Sequence, residues 1–216
     1  IALVAVVALT GCSREITRVE NYDPGPSSCF ACHDDQDPFI ISMEYAWANS
    51  WHASGRVVAR SSRSSCAPCH STEGFIQVAN GEEVEGVDNP TVIHCFACHQ
   101  PHTENDFGLR KDDVTPLQDG TAVDIGSGNL CVNCHQGRRN VNDYVFDGVE
   151  MSTHFGPHHG PQADMLMGSN GYEYEGYTYG DKPFHRSMTE NGCVDCHYDA
   201  TNTYAVGGHS FNMSAV

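Results

Sequence analysis

Hydrophobic residues occur along most of the chain in short segments that rarely keep a regular period. The segments 43–52 and 161–168 are typical of short helices, the second because it begins with Pro and ends with Gly. In residues 171–180 tyrosines alternate with other residues, which predicts a small hairpin that turns near Glu175 and Gly176. We therefore expect short helices, much loop and little β-structure.

One apolar segment is uninterrupted, and it lies at residues 1–9. It is too short to span a bilayer, which takes about 20 residues, but it fits the apolar region of a secretory signal. The following Leu9-Thr10-Gly11-Cys12 resembles the lipobox of bacterial lipoproteins, in which cleavage before the cysteine frees it for acylation. The alternative is a buried strand followed by an incidental cysteine. We predict that Cys12 is lipidated.

These features divide the chain into three parts. Residues 1–11 are part of a lipoprotein signal peptide, residues 12–28 are the lipidated cysteine and a flexible tether without periodicity, and residues 29–216 are the folded body. Because no Met or basic leader precedes Ile1, we expect the chain to be truncated at its start, and also at its end. The lipid would anchor the exported protein to a membrane, and Ser13 is compatible with delivery to the outer membrane.

The composition indicates that side chains alone would form a thin core. Only 39% of the 216 residues are apolar, so another source of buried surface is needed. The chain has 11 cysteines, yet disulfide scaffolds belong mainly to chains shorter than about a hundred residues. Lys and Arg total 11 against 28 Asp and Glu, a formal charge of -17. This charge argues against a nucleic-acid partner, because phosphate contacts need clustered cations.

The ten cysteines other than Cys12 all belong to one repeated motif, Cys-x-x-Cys-His. A shuffled chain of this composition would contain on the order of 0.03 such motifs. Motifs 1 to 5 occupy residues 29–33, 66–70, 95–99, 131–135 and 193–197. Their starts are 37, 29, 36 and 62 residues apart, which is not the strict period of a solenoid.

Cys-x-x-Cys-His is the attachment signal of c-type haem. The two thiols must reach two vinyl groups on one edge of the porphyrin, and the imidazole must stand over the ring to bind iron. One helical turn with these residues at i, i+3 and i+4 presents all three on one side. The predicted thioether residues are Cys29, Cys32, Cys66, Cys69, Cys95, Cys98, Cys131, Cys134, Cys193 and Cys196, and the predicted proximal iron ligands are His33, His70, His99, His135 and His197.

Five covalently bound haem c groups would supply the apolar core that the side chains lack. There would be about 41 residues of mature chain per haem. Structural zinc usually takes two Cys pairs per ion, and five pairs cannot all be matched in twos. A thioredoxin-like dithiol would need one pair on a βαβ frame. The predicted fold class is therefore a multihaem cytochrome c, mostly loops and short α-helices organised around covalently bound haems.

Eight histidines remain as candidates for the second axial position of the five irons, so that all five haems can be six-coordinate. They are His52, His94, His102, His154, His158, His159, His185 and His209. Of these, His94 directly precedes motif 3 and cannot bind the iron of its own haem, whereas the rigid Pro101 turns His102 toward a neighbour. The predicted distal ligands are His52, His102, His185, His209 and one or both of His154 and His158.

Residues 95–102, 129–138 and 207–211 are similar to segments of exported multihaem proteins from metal-reducing and related anaerobic bacteria. The chain thus resembles a multihaem c-type cytochrome of the bacterial respiratory kind over most of residues 29–211. The resemblance implies closely packed haems in a chain, bis-histidine iron, and electron transfer between the cell and an external or periplasmic acceptor. In such families a trailing distal His often precedes a further haem motif, which also indicates that the chain continues.

Three functions are consistent with these features. In an electron conduit, six-coordinate haems leave no open iron site and mainly pass electrons to redox protein partners or extracellular acceptors. A multihaem reductase would need one iron with a vacant or Lys-held position, whereas every motif ends in His. A haem filament would use a His of one subunit to complete a haem in the next, as a homo-oligomer. We predict the conduit, without catalytic residues, in an exported lipoprotein at the outer membrane, facing the periplasm or on the cell surface.

Overall fold

The structure is a computed structural model that describes residues 38–100, 108–151, 160–180, 184–198 and 208–213. This part of the chain is partly helical with little sheet. The α-helices are α1 Pro38–Ala48, α2 Ala67–His70, α3 Thr72–Ala79, α4 Cys95–Cys98, α5 Asn129–Val132, α6 Val141–Tyr144, α7 Gln162–Met167, α8 Phe184–Ser187 and α9 Val194–His197. Turns of 3-10 helix lie at His52–Ser54, Val58–Ser62, Gly126–Gly128 and Gly208–Ser210.

The sheet of the described residues is a two-stranded antiparallel ladder. Strand β1 (Thr115–Pro116) pairs with β2 (Ala122–Val123), with Thr115 opposite Val123. The loop between them is closed by a hydrogen bond of 2.8 Å from the Leu117 N–H to the Thr121 carbonyl. Gly120 has a φ of 88°, a conformation that glycine adopts without a steric penalty.

The main hydrophobic core is small and lies where this hairpin meets motif 4 and α7. Its buried members are Leu117, Val123, Ile125, Val132 and Ala163, and the partly buried Leu166, Met167 and Cys193 pack against it. Two of these residues, Val132 and Cys193, belong to the Cys-x-x-Cys-His motifs. The core therefore fixes motifs 4 and 5 in the fold.

Helices α2 and α3 form a second packed unit around motif 2. Ser71 caps α3, because its hydroxyl accepts the Gly74 N–H at 3.2 Å. Ala67 and Phe75 are buried. A Cβ at Gly74 would lie 2.4 Å from the carbonyl of Ala67, so that only glycine allows the two helices to approach this closely.

A buried polar network joins α7 to the segment that follows motif 4. The Asp164 carboxylate, 4% exposed, accepts the Gly137 N–H at 2.6 Å and the Asn170 side-chain amide at 2.7 Å. Asn170 also accepts the Val141 N–H at 2.8 Å and donates its own N–H to Asp119 at 2.7 Å. Buried polar groups that are fully paired in this way stabilise one arrangement of the chain.

The elements predicted from the hydrophobic pattern agree with the structure in part. The helix predicted at 161–168 is confirmed, since α7 follows Pro161 and ends at Gly168 with a φ of 63°. The helix predicted at 43–52 was wrong in its bounds, because α1 ends at Ala48 and His52 begins a 3-10 turn. Its last turn is replaced by local bonds, including one of 2.7 Å from the Asn49 side chain to the Tyr45 carbonyl.

The tyrosine-rich segment 171–180 turns where the sequence predicts, with Gly176 at a φ of 86°. It does not pair into strands within the described residues. Tyr172, Tyr174, Tyr177 and Tyr179 are all exposed. Alternation therefore did not produce a hairpin here, because neither face of the segment is buried against a core.

Candidate functional site

Each of the four motifs in the described residues forms one helical turn. The histidine N–H donates to the carbonyl of the first cysteine in motifs 2, 3, 4 and 5, at 3.1, 2.9, 2.9 and 2.9 Å. This i to i−4 bond closes the turn, so that the two thiols and the imidazole leave the backbone on the same side. Motif 1, with Cys29, Cys32 and His33, and the predicted lipidation site Cys12 lie outside the described residues.

The cysteines of motif 4 lie close to those of motifs 2 and 5. The interaction of the Cys69 and Cys134 thiols lowers the pKa of Cys69 and raises that of Cys134. Two hydrogen bonds join the turns of motifs 2 and 4. The Cys69 thiol donates to the Asn133 carbonyl at 3.9 Å, and the Cys134 thiol donates to the Pro68 carbonyl at 3.7 Å. Motifs 2 and 4 therefore face each other through their cysteine sides.

A second thiol contact joins motifs 4 and 5. The hydrogen bond from Cys131 lowers the pKa of Cys193 to about 7, and the same bond and burial raise the pKa of Cys131 well above its usual range. Burial raises the pKa of Cys98 in motif 3 to about 11, against the opposing effect of Arg110. Cys98 also interacts electrostatically with Cys131 and Cys134. The cysteines of motif 4 thus lie near cysteines of motifs 2, 3 and 5.

The first histidine pair joins a motif histidine to a histidine from elsewhere in the chain. The ring centres of His52 and His135 are 6.1 Å apart, with an angle of 66° between the ring planes. Burial, followed by the charge of His135, lowers the pKa of His52 to about 4. Two bonds from α7 hold His135: its Nδ1 lies 3.3 Å from Gln162 Oε1, and its carbonyl accepts the Ala163 N–H at 2.9 Å.

The second pair also joins one motif histidine, His99, to one histidine from outside the motifs, His209. The ring centres of His99 and His209 are 6.2 Å apart at an angle of 40°. Burial, followed by the charge of His99, lowers the pKa of His209 to about 4. The Tyr198 hydroxyl lies 2.9 Å from Nδ1 and 3.0 Å from Nε2 of His209, along one edge of the ring.

The separation within both pairs suits one metal ion between two imidazoles. A metal–nitrogen bond of about 2 Å on each side, with about 1 Å from each nitrogen to its ring centre, places the two ring centres about 6 Å apart. A haem iron takes only two ligands from the protein. The ring-centre distances of both pairs are therefore compatible with one haem iron between the two imidazoles.

Two other motif histidines have distinct surroundings. His197 Nδ1 lies 3.0 Å from the Phe211 carbonyl oxygen, so that Nδ1 carries the proton and Nε2 is the nitrogen left to bind metal. Burial, followed by the charges of Arg60, Arg138 and Arg63, lowers the pKa of His70. Motif 2 thus has a cationic surrounding within a chain of charge -17.

The other six candidate histidines, of which His94 and His159 were not among the predicted ligands, are not brought into such pairs by the described contacts. His185 is an exposed residue of α8. His94 packs edge-on against Trp47 at 5.0 Å and stacks on Phe96 at 6.2 Å, and burial lowers its pKa. His102, His154, His158 and His159 lie outside the described residues.

Sequence reasoning missed three residues that hold the histidines, namely Gln162, Tyr198 and Phe211. Only Gln162 had a sequence signal, because it lies at the beginning of a helix that Pro161 predicts. Tyr198 and Phe211 contact histidines that are 11 and 14 residues away along the chain, and no local pattern indicates such contacts.

Comparisons with protein-family models, with curated proteins and with solved structures find no match for this chain. Among the described helices, none combines the length and the apolar character needed to cross a bilayer. In the same residues, no three His, Cys, Asp or Glu side chains converge as a metal-binding group.

Proposed function

We propose that this chain is an electron-transfer protein that carries five covalently bound haem c groups, one on each Cys-x-x-Cys-His motif. The observation that carries the proposal is the pair geometry: two motif histidines, His99 and His135, each face a non-motif histidine at 6.2 and 6.1 Å between ring centres. His209 and His52 are then the distal ligands of the haems on motifs 3 and 4.

The haem supplies reversible one-electron chemistry at its iron when it is bound. The protein residues hold and orient it. Gln162 beside His135 and the Phe211 carbonyl beside His197 keep a proton on Nδ1, which leaves Nε2 toward the iron and raises the basicity of the ligand. Tyr198, whose hydroxyl lies 2.9 Å from Nδ1 and 3.0 Å from Nε2 of His209, would hold Nδ1 if Nε2 were the nitrogen that held the iron.

The contacts between motifs support a relay of haems. Cysteine sides of motifs 2 and 4 touch, as do those of motifs 4 and 5, and His197 lies close enough to His135 to lower its pKa, after burial and against the Gln162 bond. Attachment at neighbouring thiols would bring the porphyrin edges together. Electrons would pass along the set without a mobile carrier.

The charges indicate what such a relay would contact. Each haem adds propionates, which would make the chain more acidic than -17 and would favour cationic patches on redox partners, or metal cations as extracellular acceptors. Arg60, Arg63 and Arg138 around His70 are suited to pair with propionates of the motif 2 haem. We further propose export, a lipid anchor on Cys12, and a place at the outer membrane, facing the periplasm or on the cell surface.

Removing the two proposed distal ligands one at a time tests the proposal. In protein matured with haem, His52→Ala and His209→Ala should each convert one haem from low-spin to high-spin, seen in the visible spectrum and by carbon monoxide binding after reduction. Phe146→Ala, a change at an exposed aromatic residue outside the motifs, should leave every haem low-spin. Unchanged spectra in both distal variants would refute the pair assignment. A high-spin haem in the unmodified protein would instead indicate the multihaem reductase.

A further inference from the structure

The segment 208–213 touches three of the proposed haem sites. Its His209 faces His99 of motif 3 at 6.2 Å. Its Phe211 contacts two other sites with two different groups. The phenyl ring packs edge-on against His52 at 4.8 Å between ring centres, and at the longer distance of 6.2 Å it also lies edge-on to His209. The backbone carbonyl oxygen lies 3.0 Å from His197 Nδ1.

The backbone of Phe211 is in a conformation that its residue type disfavours. Its φ is 55°, in the left-handed region that a bulky residue enters only when the surrounding structure requires it. The conformation is closed by a hydrogen bond of 3.0 Å from the Phe211 N–H to the Gly208 carbonyl. Such strain tends to occur where a residue has a positioning role.

The two contacts of Phe211 act on different histidines, and each controls a different property. An acceptor at Nδ1 fixes the tautomer and raises the basicity of a metal-binding imidazole. The Phe211 carbonyl is such an acceptor for His197. A ring packed edge-on fixes the orientation of an imidazole about its own axis. The Phe211 ring has this contact with His52. Generic apolar packing would need neither the carbonyl direction nor the left-handed backbone.

We propose that Phe211 is a positioning residue that couples two neighbouring haem sites. Its ring orients His52, the distal ligand of the motif 4 haem, and its carbonyl orients His197, the proximal ligand of the motif 5 haem. This inference rests on the proposed function. The left-handed backbone is what lets one residue serve both sites, because it directs the ring to one histidine and the carbonyl to the other.

Two substitutions distinguish the effect of the Phe211 ring from the effect of the Phe211 carbonyl. Phe211→Gly removes the ring but readily keeps a positive φ, so the carbonyl stays beside His197. Phe211→Val removes the ring and also disfavours the positive φ, because a β-branched residue is strained there. The matched controls are Phe146→Gly and Phe146→Val, at a phenylalanine that is 58% exposed.

The haem number is measured by intact mass, the axial ligation by electron paramagnetic resonance, and the potentials by a spectroscopic redox titration. We expect five haems in all variants. Phe211→Gly should change the signal of the motif 4 haem most and that of the motif 3 haem less, because the ring lies 4.8 Å from His52 but 6.2 Å from His209, and the motif 5 haem should not change. Phe211→Val should have the same effects and should also raise the reduction potential of the motif 5 haem, because a less basic His197 stabilises the oxidised iron less. The Phe146 variants should match the unmodified protein.

The outcomes separate this inference from the proposed function. Five haems with both Phe211 variants identical to the controls would overturn the positioning role and leave the relay intact. A change in all five haems would also overturn it, because it would indicate a general structural role. An unmodified protein without haem would overturn the proposed function and the inference together. If Phe211→Val does not fold, the change at the motif 4 haem in Phe211→Gly still decides the role of the ring.

Discussion

Asp164 is the side chain whose loss should destabilise the described fold most clearly. Its carboxylate is 4% exposed and accepts the Gly137 N–H at 2.6 Å and the Asn170 amide at 2.7 Å. Hydrogen bonds to a charged group contribute about 1.5–3 kcal/mol each. Asp164→Ala removes both and leaves the Gly137 N–H without this acceptor, so the free energy of unfolding should fall by about 3–5 kcal/mol.

The melting temperature provides the assay. For a domain of this size a change of 1 kcal/mol shifts the melting temperature by about 2–4 °C, so Asp164→Ala should lower it by roughly 10 °C in a thermal unfolding experiment on the haem-loaded protein. Asp147→Ala removes an exposed carboxylate and serves as the control, with an expected shift close to zero. Equal shifts in the two variants would refute the role of the buried network.

The same reasoning predicts three further effects. Gln162→Leu removes the acceptor beside Nδ1 of His135, the motif 4 histidine. Because that hydrogen bond contributes about 1 kcal/mol, the reduction potential of the motif 4 haem should rise by about 40 mV. A redox titration in which no potential changes would contradict this. Gly74→Ala should lower the melting temperature, because the new Cβ would lie 2.4 Å from the Ala67 backbone. Gly171→Ala is the control and should leave the melting temperature unchanged, because no atom lies within 4 Å of its Cβ position. Equal melting temperatures in the two variants would contradict the close packing of α2 and α3. Burial raises the pKa of Asp119, but hydrogen bonds from three backbone N–H groups and a hydroxyl outweigh it and hold the pKa below 3.8. The Asp119 carboxylate therefore stabilises the fold above pH 3.8, and this contribution is lost as the pH falls through its pKa in the folded protein. In a plot of stability against pH, Asp119→Asn should reduce the loss of stability at acidic pH. An unchanged loss would contradict this.

Local features of the fold could be predicted from the sequence where the cause is itself local. The turn at each described motif follows from cysteines and histidine at i, i+3 and i+4. The bounds of α7 follow from Pro161, which directly precedes the first helical residue Gln162, and from Gly168, which adopts the left-handed conformation just after the last one. These residues act on their immediate neighbours, so no tertiary contact is needed to interpret them.

The pairing of histidines could not be predicted, because it depends on contacts between distant segments. The sequence indicated His52 and His209 as candidates, but not that they face His135 and His99. His52 reaches its place because α1 ends at Ala48 and the chain turns again, a result of local side-chain bonds that compete with the helix. The tyrosine segment 171–180 shows the converse, since a strand-like pattern without a core to cover did not form strands.

The measurement that tests the central claim most directly is the intact mass of the protein after export and maturation. The proposal predicts five haem groups joined through the ten motif cysteines, with no free thiol remaining in the motifs. A mass that corresponds to the bare polypeptide, with reactive sulfhydryls or zinc at these cysteines, would contradict it.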